Sequence, residues 1–385
     1  MERKNNLILL RWEIQNLYKM KKLVYLFVIV SVVVSCSTEP QYTISGNLDG
    51  ATEGKVFLQK RVSGAWEKID SVTIENGTFE ITGGAVDYPD TYRLTVEGKR
   101  GYKSFFLENS AITITGDVDS IFFATVEGSV TNDEYEAYNE MLKPYYTKNS
   151  ELYQAYREAT EAGETEKAEE LSKERETLFD EINEAQMNFV RENPSSFVTP
   201  TVLRSLTYSM EANELREHLD ALDSRLAGTE LVKTMYERAE KLEKVAIGEV
   251  APEFTMNDTE GNPVKLSEVL GPKLLLVDFW AAWCGPCRAE NPNVVAVYKE
   301  FHEKGFDVFG VSLDQKKEDW LQAIEDDNLT WTHVSDLKYW ENEAAQMYAV
   351  SAIPANFLLD VDGKIIAKNL RGDDLKNKVA GLLAE

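Results

Sequence analysis

The sequence predicts an α/β domain over residues 246–385, a mixed sheet flanked by helices. An all-β sandwich-like domain over 36–128 and a helical segment over 129–245 precede it. Three observations carry this division. Apolar residues alternate in short bursts as far as about residue 128. They recur every three or four residues from there to 245. Beyond that point, continuous apolar runs take turns with helical stretches. These are the signatures of half-buried strands, of helices with one buried face, and of a sheet covered on both faces.

The bursts are Tyr42-Thr43-Ile44, Lys55-Val56-Phe57-Leu58, Thr78-Phe79-Glu80-Ile81, Tyr92-Arg93-Leu94-Thr95-Val96, Ser104-Phe105-Phe106-Leu107 and Ala111-Ile112-Thr113-Ile114. Turn residues such as Asn76-Gly77, Gly83-Gly84 and Gly116-Asp117 separate them. Many short strands at this spacing argue a sandwich or barrel. No His, Cys or carboxylate cluster among them points to catalysis.

In the helical segment, Leu171, Leu178, Ile182, Ala185 and Phe189 form one stripe and Leu215, Leu219, Leu222 and Leu226 another. Each stripe predicts one buried helix face. Residues 131–192 hold seventeen Asp/Glu against seven Lys/Arg, so the opposite face is expected in solvent. Asn193-Pro194-Ser195-Ser196 breaks the array. Sustained heptads are absent, which favours core packing over a coiled-coil dimer.

In the last part, Leu274 to Phe279 reads as a strand buried on both faces. A helix follows from Pro286 to Glu303, then a strand from Phe306 to Val311. Helices are predicted over Lys317–Asp326 and Glu341–Tyr348. Phe357–Leu359 and Lys364–Ile366 form a hairpin across Asp362-Gly363, and Asp373–Leu383 closes as a helix.

Composition narrows the function. With 385 residues there is room for two or three domains. The net charge of −25 argues against nucleic acid as a partner. Only three cysteines are present, Cys36, Cys284 and Cys287, too few for a structural disulfide framework. Cys36 has its own context. Met20-Lys21-Lys22 is positively charged, Leu23 to Val34 is apolar but too short to span a bilayer, and Val33-Val34-Ser35-Cys36 resembles a bacterial lipobox. Residues 1–35 are therefore expected to be a lipoprotein signal peptide, with Met20 an alternative start. Cys36 would be the lipid-modified residue, and the protein would be anchored to the cell envelope facing the periplasm.

Cys284 and Cys287 end the run Val277-Asp278-Phe279-Trp280-Ala281-Ala282-Trp283-Cys284-Gly285-Pro286-Cys287, where a strand hands over to a helix. A thiol at a helix N-terminus meets unpaired N–H groups and the helix dipole, both of which favour a thiolate. A second thiol one turn on can displace whatever the first has attacked. This is dithiol–disulfide exchange, with Cys284 attacking and Cys287 resolving. No other cofactor is called for. Metal binding would need two more ligands, and His218, His302 and His333 are not at zinc-like spacing.

The same run, with Ile353-Pro354 some seventy residues on, resembles thioredoxin. Ala251-Pro252-Glu253-Phe254 ahead of it and Arg288-Ala289-Glu290-Asn291-Pro292 behind it resemble the TlpA/ResA-like branch of envelope thioredoxin-like proteins. The resemblance implies a thioredoxin-like fold for 246–385. It suggests cytochrome c maturation as one client pathway; protein disulfide clients and a membrane thiol-disulfide electron donor are the partners expected of a dithiol reductant. Asp278 matches thioredoxin's buried carboxylate, which would take a proton from Cys287. Burial should raise its pKa toward neutrality, and the plain alternative is a surface Asp at a strand edge. The resemblance gives Glu290 a role in tuning the cysteines; a solvated helix-surface Glu is the alternative. Having both acids departs from ResA-like sequences, which lack the strand Asp. Pro292 is expected to kink the helix. Ile353-Pro354 is implied to be cis and to pair with an extended client, with Trp283, Gly285 and Pro286 beside it and Trp280 and Phe279 adding to an apolar rim, Phe279 having simple core packing as its alternative.

Two other classes stay open at this stage. A peroxiredoxin-like peroxidase shares the Ala251-Pro252-Glu253-Phe254 element, but Ala281 stands where the peroxide-orienting Thr belongs. A non-catalytic envelope module that binds a ligand or senses redox state would use the thiols only as reporters. Gly285-Pro286 between the cysteines resembles the reducing members of the family.

Overall fold

In the computed structural model, which describes residues 41–62 and 64–384, the chain divides into two compact units. One ends at Asp133 and the other begins at Glu134.

The first unit contains β1 (Tyr42–Asp49), β2 (Lys55–Val62), β3 (Ala65–Thr73), β4 (Thr78–Gly83), β5 (Asp90–Val96), β6 (Lys103–Leu107), β7 (Ala111–Asp117) and β8 (Thr125–Glu127). They form two four-stranded sheets, β4-β1-β7-β8 and β3-β2-β5-β6, in which β1 and β7 run parallel and the other neighbours antiparallel. One apolar core is shared by both sheets: Ile44, Ile81, Ile112 and Ile114 from the first, Val56, Leu58, Leu94 and Phe105 from the second. The alternation read from the sequence is the alternation of these buried positions. Gly46 is required by packing, because the Phe79 ring of the neighbouring strand lies where a Cβ would stand. β3 and β8 carry no buried residue and no apolar alternation, which is why the sequence pattern missed them. β3 is held as an edge strand by backbone pairing to β2.

In the second unit, α1 (Val130–Ala162, which starts just before the boundary) and α2 (Thr165–Glu192) form a helical hairpin. The Tyr138 ring packs on Phe189, and Gln186 donates to the Tyr138 hydroxyl. Three shorter helices follow: α3 (Thr199–Leu206), α4 (Ala212–Asp220) and α5 (Glu230–Lys244). Both Leu stripes supply buried residues, with Leu178, Ile182, Leu215, Leu219 and Leu226 all inside.

The rest of the unit is built on β9 (Thr255–Asp258), β10 (Pro263–Lys265), α6 (Leu266–Val269), β11 (Leu274–Trp280), α7 (Gly285–Phe301), β12 (Phe306–Ser312), α8 (Lys317–Asp326), β13 (Thr332–Ser335), α9 (Glu343–Met347), β14 (Ala355–Asp360), β15 (Ile365–Lys368) and α10 (Gly372–Ala384). Seven strands make one mixed sheet in the order β10-β9-β13-β12-β11-β14-β15. β11 is parallel to β12 and antiparallel to β14. Every residue of β11 is buried, Asp278 among its apolar neighbours included, as a central strand covered on both faces requires. The predicted helix over Glu341–Tyr348 is shorter in the structure. Asn342 interrupts it as the N-cap of α9, its side chain accepting from Ala345 N–H. β9, β10 and β13 have only three or four residues each, too short for a periodic signal.

Cys36 and the leader lie outside the described residues. Among the described residues no helix is long and apolar enough to cross a membrane.

Candidate active site

β11 delivers the chain to the site. It ends at Trp280, and the short turn Ala281–Trp283 leads to Cys284, the N-cap of α7. Cys284 has extended backbone angles, and its Sγ accepts the N–H of Cys287 at 3.1 Å. A sulfur in that position receives the donor that the first helical turn leaves unpaired, which favours its negative form. Cys284 and Cys287 are joined in a disulfide, both almost fully buried. Gly285 and Pro286 occupy the exposed first turn of α7, and Pro292 lies inside that helix.

The turn before Cys284 is braced by a neighbour the sequence pattern did not single out. Asp314, buried just after β12, accepts from Ala282 N–H at 3.0 Å and from the Ser312 hydroxyl at 2.8 Å. Burial pushes the Asp314 carboxyl up, against the pull of these donors. Trp283 is half exposed; its indole N–H donates to the Leu313 carbonyl, and its ring packs on Tyr339 and Trp340. The apolar rim is thus Trp283, Tyr339 and Trp340. Trp280 and Phe279 do not belong to it. They are 1% and 0% exposed, because the central strand that carries them is covered on both faces.

Asp278 is 5% exposed, in the middle of β11, so it is not a surface residue at a strand edge. Its carboxyl is pushed up to about 7, first by burial, then by the charge of Glu290, while Arg371 pulls the other way. Glu290 is half-buried on α7 and ties two helices together. It accepts the N–H of Gly372, the first residue of α10, at 2.7 Å, and the Asn293 amide at 3.2 Å. Its carboxylate therefore sits at a helix N-terminus and also acts electrostatically on Asp278. Arg288 and Asn291 converge on Asp327, with Arg288 gripping both carboxylate oxygens. This holds α7 to the end of α8.

The Ile353–Pro354 peptide is cis. The Ile353 carbonyl oxygen lies 3.6 Å from Cys284 Sγ, and Arg371 donates to the Pro354 carbonyl at 2.8 Å. The element at Ala251–Phe254 is structural. Phe254 packs on Phe309 and Tyr348, and the Tyr348 hydroxyl donates to the Pro252 carbonyl. The start of α7 thus carries Cys284 and Cys287 with the Ile353–Pro354 loop against Cys284, while Glu290, about one turn further along α7, acts on Asp278 of β11. Among the described residues no cluster of His, Cys, Asp and Glu could hold a metal ion.

Residues 247–368 match the family model described as the AhpC/TSA family, and residues 42–135 match a domain of unknown function (DUF4369). A thiol-disulfide oxidoreductase ResA of Bacillus cereus is 30% identical over 141 residues, which cover 37% of this chain and 79% of that protein. The chain belongs to the TlpA/ResA-like branch of the thioredoxin family. This ResA-like chain is a thiol-disulfide oxidoreductase. ResA of Bacillus subtilis (strain 168) is 29% identical over 124 residues, 32% of this chain and 67% of that one. Among solved structures, the thioredoxin domain of a thiol-disulfide oxidoreductase from Bacteroides vulgatus is 43% identical. That match covers 36% of this chain and 98% of the domain at a TM-score of 0.34. Within the AhpC/TSA match, the ResA-like chain carries buried Ala281 three residues before Cys284, so no hydroxyl is present there to orient a peroxide.

Proposed function

We propose that this oxidoreductase is a dithiol reductant of protein disulfides in the bacterial cell envelope. The observation that carries the reading is Cys284 Sγ at the N-cap of α7, accepting the Cys287 N–H and facing the Ile353 carbonyl. In the reduced protein the Cys284 thiolate attacks one sulfur of a client disulfide. A mixed disulfide forms and the client's other sulfur leaves as a thiolate. An extended client lies along Ile353, next to the cis Pro354, with Trp283, Gly285 and Pro286 forming the rest of the contact surface. Cys287 then loses its proton to Asp278, whose affinity near neutrality suits both taking and returning it. The freed Cys287 sulfur attacks Cys284 Sγ and releases the client as a dithiol. Two electrons have passed to the client, and the protein is left with its redox group, the Cys284–Cys287 disulfide, oxidised.

A membrane thiol-disulfide donor would return the two electrons. Cys36 would carry the lipid that keeps the protein at the membrane, facing the periplasm. A lipid mass on a mature N-terminal Cys36 is the expected result of mass spectrometry, and an unmodified N-terminus counts against it. Cytochrome c maturation is one pathway in which such a reductant serves. The direction of exchange is tested by equilibration against thiol–disulfide buffers. A potential nearer thioredoxin's, about −270 mV, supports a reductant, whereas one near DsbA's, about −120 mV, overturns it.

A further inference from the structure

A cavity of about 530 Å³ opens between the helical segment and the loop that carries the cis proline. Tyr208, Met210 and Arg238 line it from the helical side, and Ser351, Ala352 and Pro354 from the loop. Its size lies within the range of small-ligand sites.

Arg238, on α5, is the unusual group. Its two terminal nitrogens donate to the Ala349 carbonyl and the Ser351 hydroxyl, each at 3.2 Å, and its Nε is buried with no partner. Burial pushes the guanidinium down from its ordinary value, and no carboxylate among the described residues opposes that shift. The Tyr208 ring centroid lies 6.0 Å from its guanidinium carbon, and a partly buried cation that no carboxylate pairs is left short of counter-charge. It is the more notable in a chain with 66 acidic residues against 41 basic ones. Lys368 and Arg371 add positive charge to the same wall, against the acids Glu211 and Asp374. Lys368 already engages Glu211. Leu242, Val350 and Phe357 supply an apolar floor. The cavity is therefore suited to a group with an apolar stem and an anionic tip.

We propose that this cavity is a client subsite, which takes an acidic side chain flanking the client cysteine and pairs its carboxylate with Arg238. The inference rests on the reading above, in which the client lies along Ile353. Extended chain advances about 3.3 Å per residue, so a client strand beside Ile353 reaches the level of Ser351 within two residues. Ser351 is also the residue whose hydroxyl Arg238 holds. The helical segment thus supplies selectivity among clients, and no bond is made or broken there.

The test uses two disulfide-bridged peptides, identical except for Glu or Gln two residues from one cysteine, and the neutral hydroxyethyl disulfide. The reduced protein is expected to favour the Glu peptide about tenfold in kcat/KM, mainly through KM, as one charge-assisted hydrogen bond provides. In Arg238→Gln the Glu/Gln ratio should fall to one; the ratio cancels any loss the two peptides share. Equal handling by the unaltered protein, or a ratio that survives Arg238→Gln, overturns the proposal. If that variant does not fold, competition in the unaltered protein decides. A cysteine-free Glu peptide should slow reduction of the Glu substrate more than its Gln counterpart does, and equal inhibition refutes the subsite. Failure to reduce even hydroxyethyl disulfide would instead bring down the reductant reading, and the subsite with it.

Discussion

The two sheet-built regions of this protein bury different things. The core of the N-terminal sandwich is aliphatic and aromatic, with Ile44, Leu58, Leu94 and Phe105 meeting between its sheets; its buried polar residues, Ser129, Thr131 and Asn132, lie beyond its last strand. The thioredoxin-like region buries Asp278, Asn291, Ser312, Asp314, His333, Asn342 and Asn356 in or beside its sheet. Burying polar groups costs free energy unless they are paired, and burying charge costs more. Here Asp314 and Asn356 are held by directed hydrogen bonds to Ala282 and Leu370, and burial shifts the proton affinity of Asp278. The contrast separates a region selected for packing from one shaped around a reaction.

The sharpest test of that contrast is at the cysteines. Cys284→Ser should lower reduction of hydroxyethyl disulfide by roughly three orders of magnitude or more, since the nucleophile is gone. Residual turnover by Cys287 alone would blur the assignment of attacker and resolver.

Asp278→Asn comes next. Loss of a general base should slow release of the mixed disulfide about a hundredfold at pH 7, and the rise in rate through about pH 7 should vanish. The stability effect has the opposite sign. The Asp278 carboxyl has an ordinary value of 3.8 and lies at about 7 when folded, so between those values the folded state holds a proton that the unfolded state has released. Wild-type stability should therefore fall as pH rises from about 4 to about 7 and level off above, by an amount on the order of 4 kcal/mol. Urea unfolding across that window should show the slope in the wild type and lose this contribution in Asp278→Asn. An unchanged slope would mean that the buried carboxyl is not the group responsible.

Leu58→Ala probes the other side. Leu58 is fully buried in the sandwich, and truncating it should cost about 2–5 kcal/mol in urea unfolding. Its effect on the rate of hydroxyethyl disulfide reduction should be negligible under conditions where the protein stays folded. A matching loss of rate would show that the two regions are not separable in the way their cores suggest.

Much of the architecture was legible because one-dimensional patterns survive folding. The run Leu274–Phe279, apolar but for Asp278, reads as a strand covered on both faces and is one, and Lys317–Asp326 is a helix over the residues its pattern predicts. β3 was not legible, since a strand exposed along its length has no reason to alternate. At the site, the cysteine spacing and the helix start are local and could be read. Asp314 and Arg371 act through partners 32 and 17 residues away, and Arg238 through carbonyl and hydroxyl groups more than a hundred residues on. Trp280 misled for a related reason. Aromatic character does not reveal which face of a turn is open, and Trp280 still belongs to the buried strand while Trp283 has left it.

By itself, the sequence determined that two sulfurs stand one helical turn apart where a strand becomes a helix, and hence the class of chemistry available. Only the tertiary structure decided that Asp278 holds its proton to near neutrality, that the cis Pro354 loop meets Cys284, and that Arg238 lies partly buried against that loop. The reason is physical. Covalent spacing and helix polarity are set along the chain, whereas desolvation and Coulomb interactions depend on which distant segments are brought within a few ångströms.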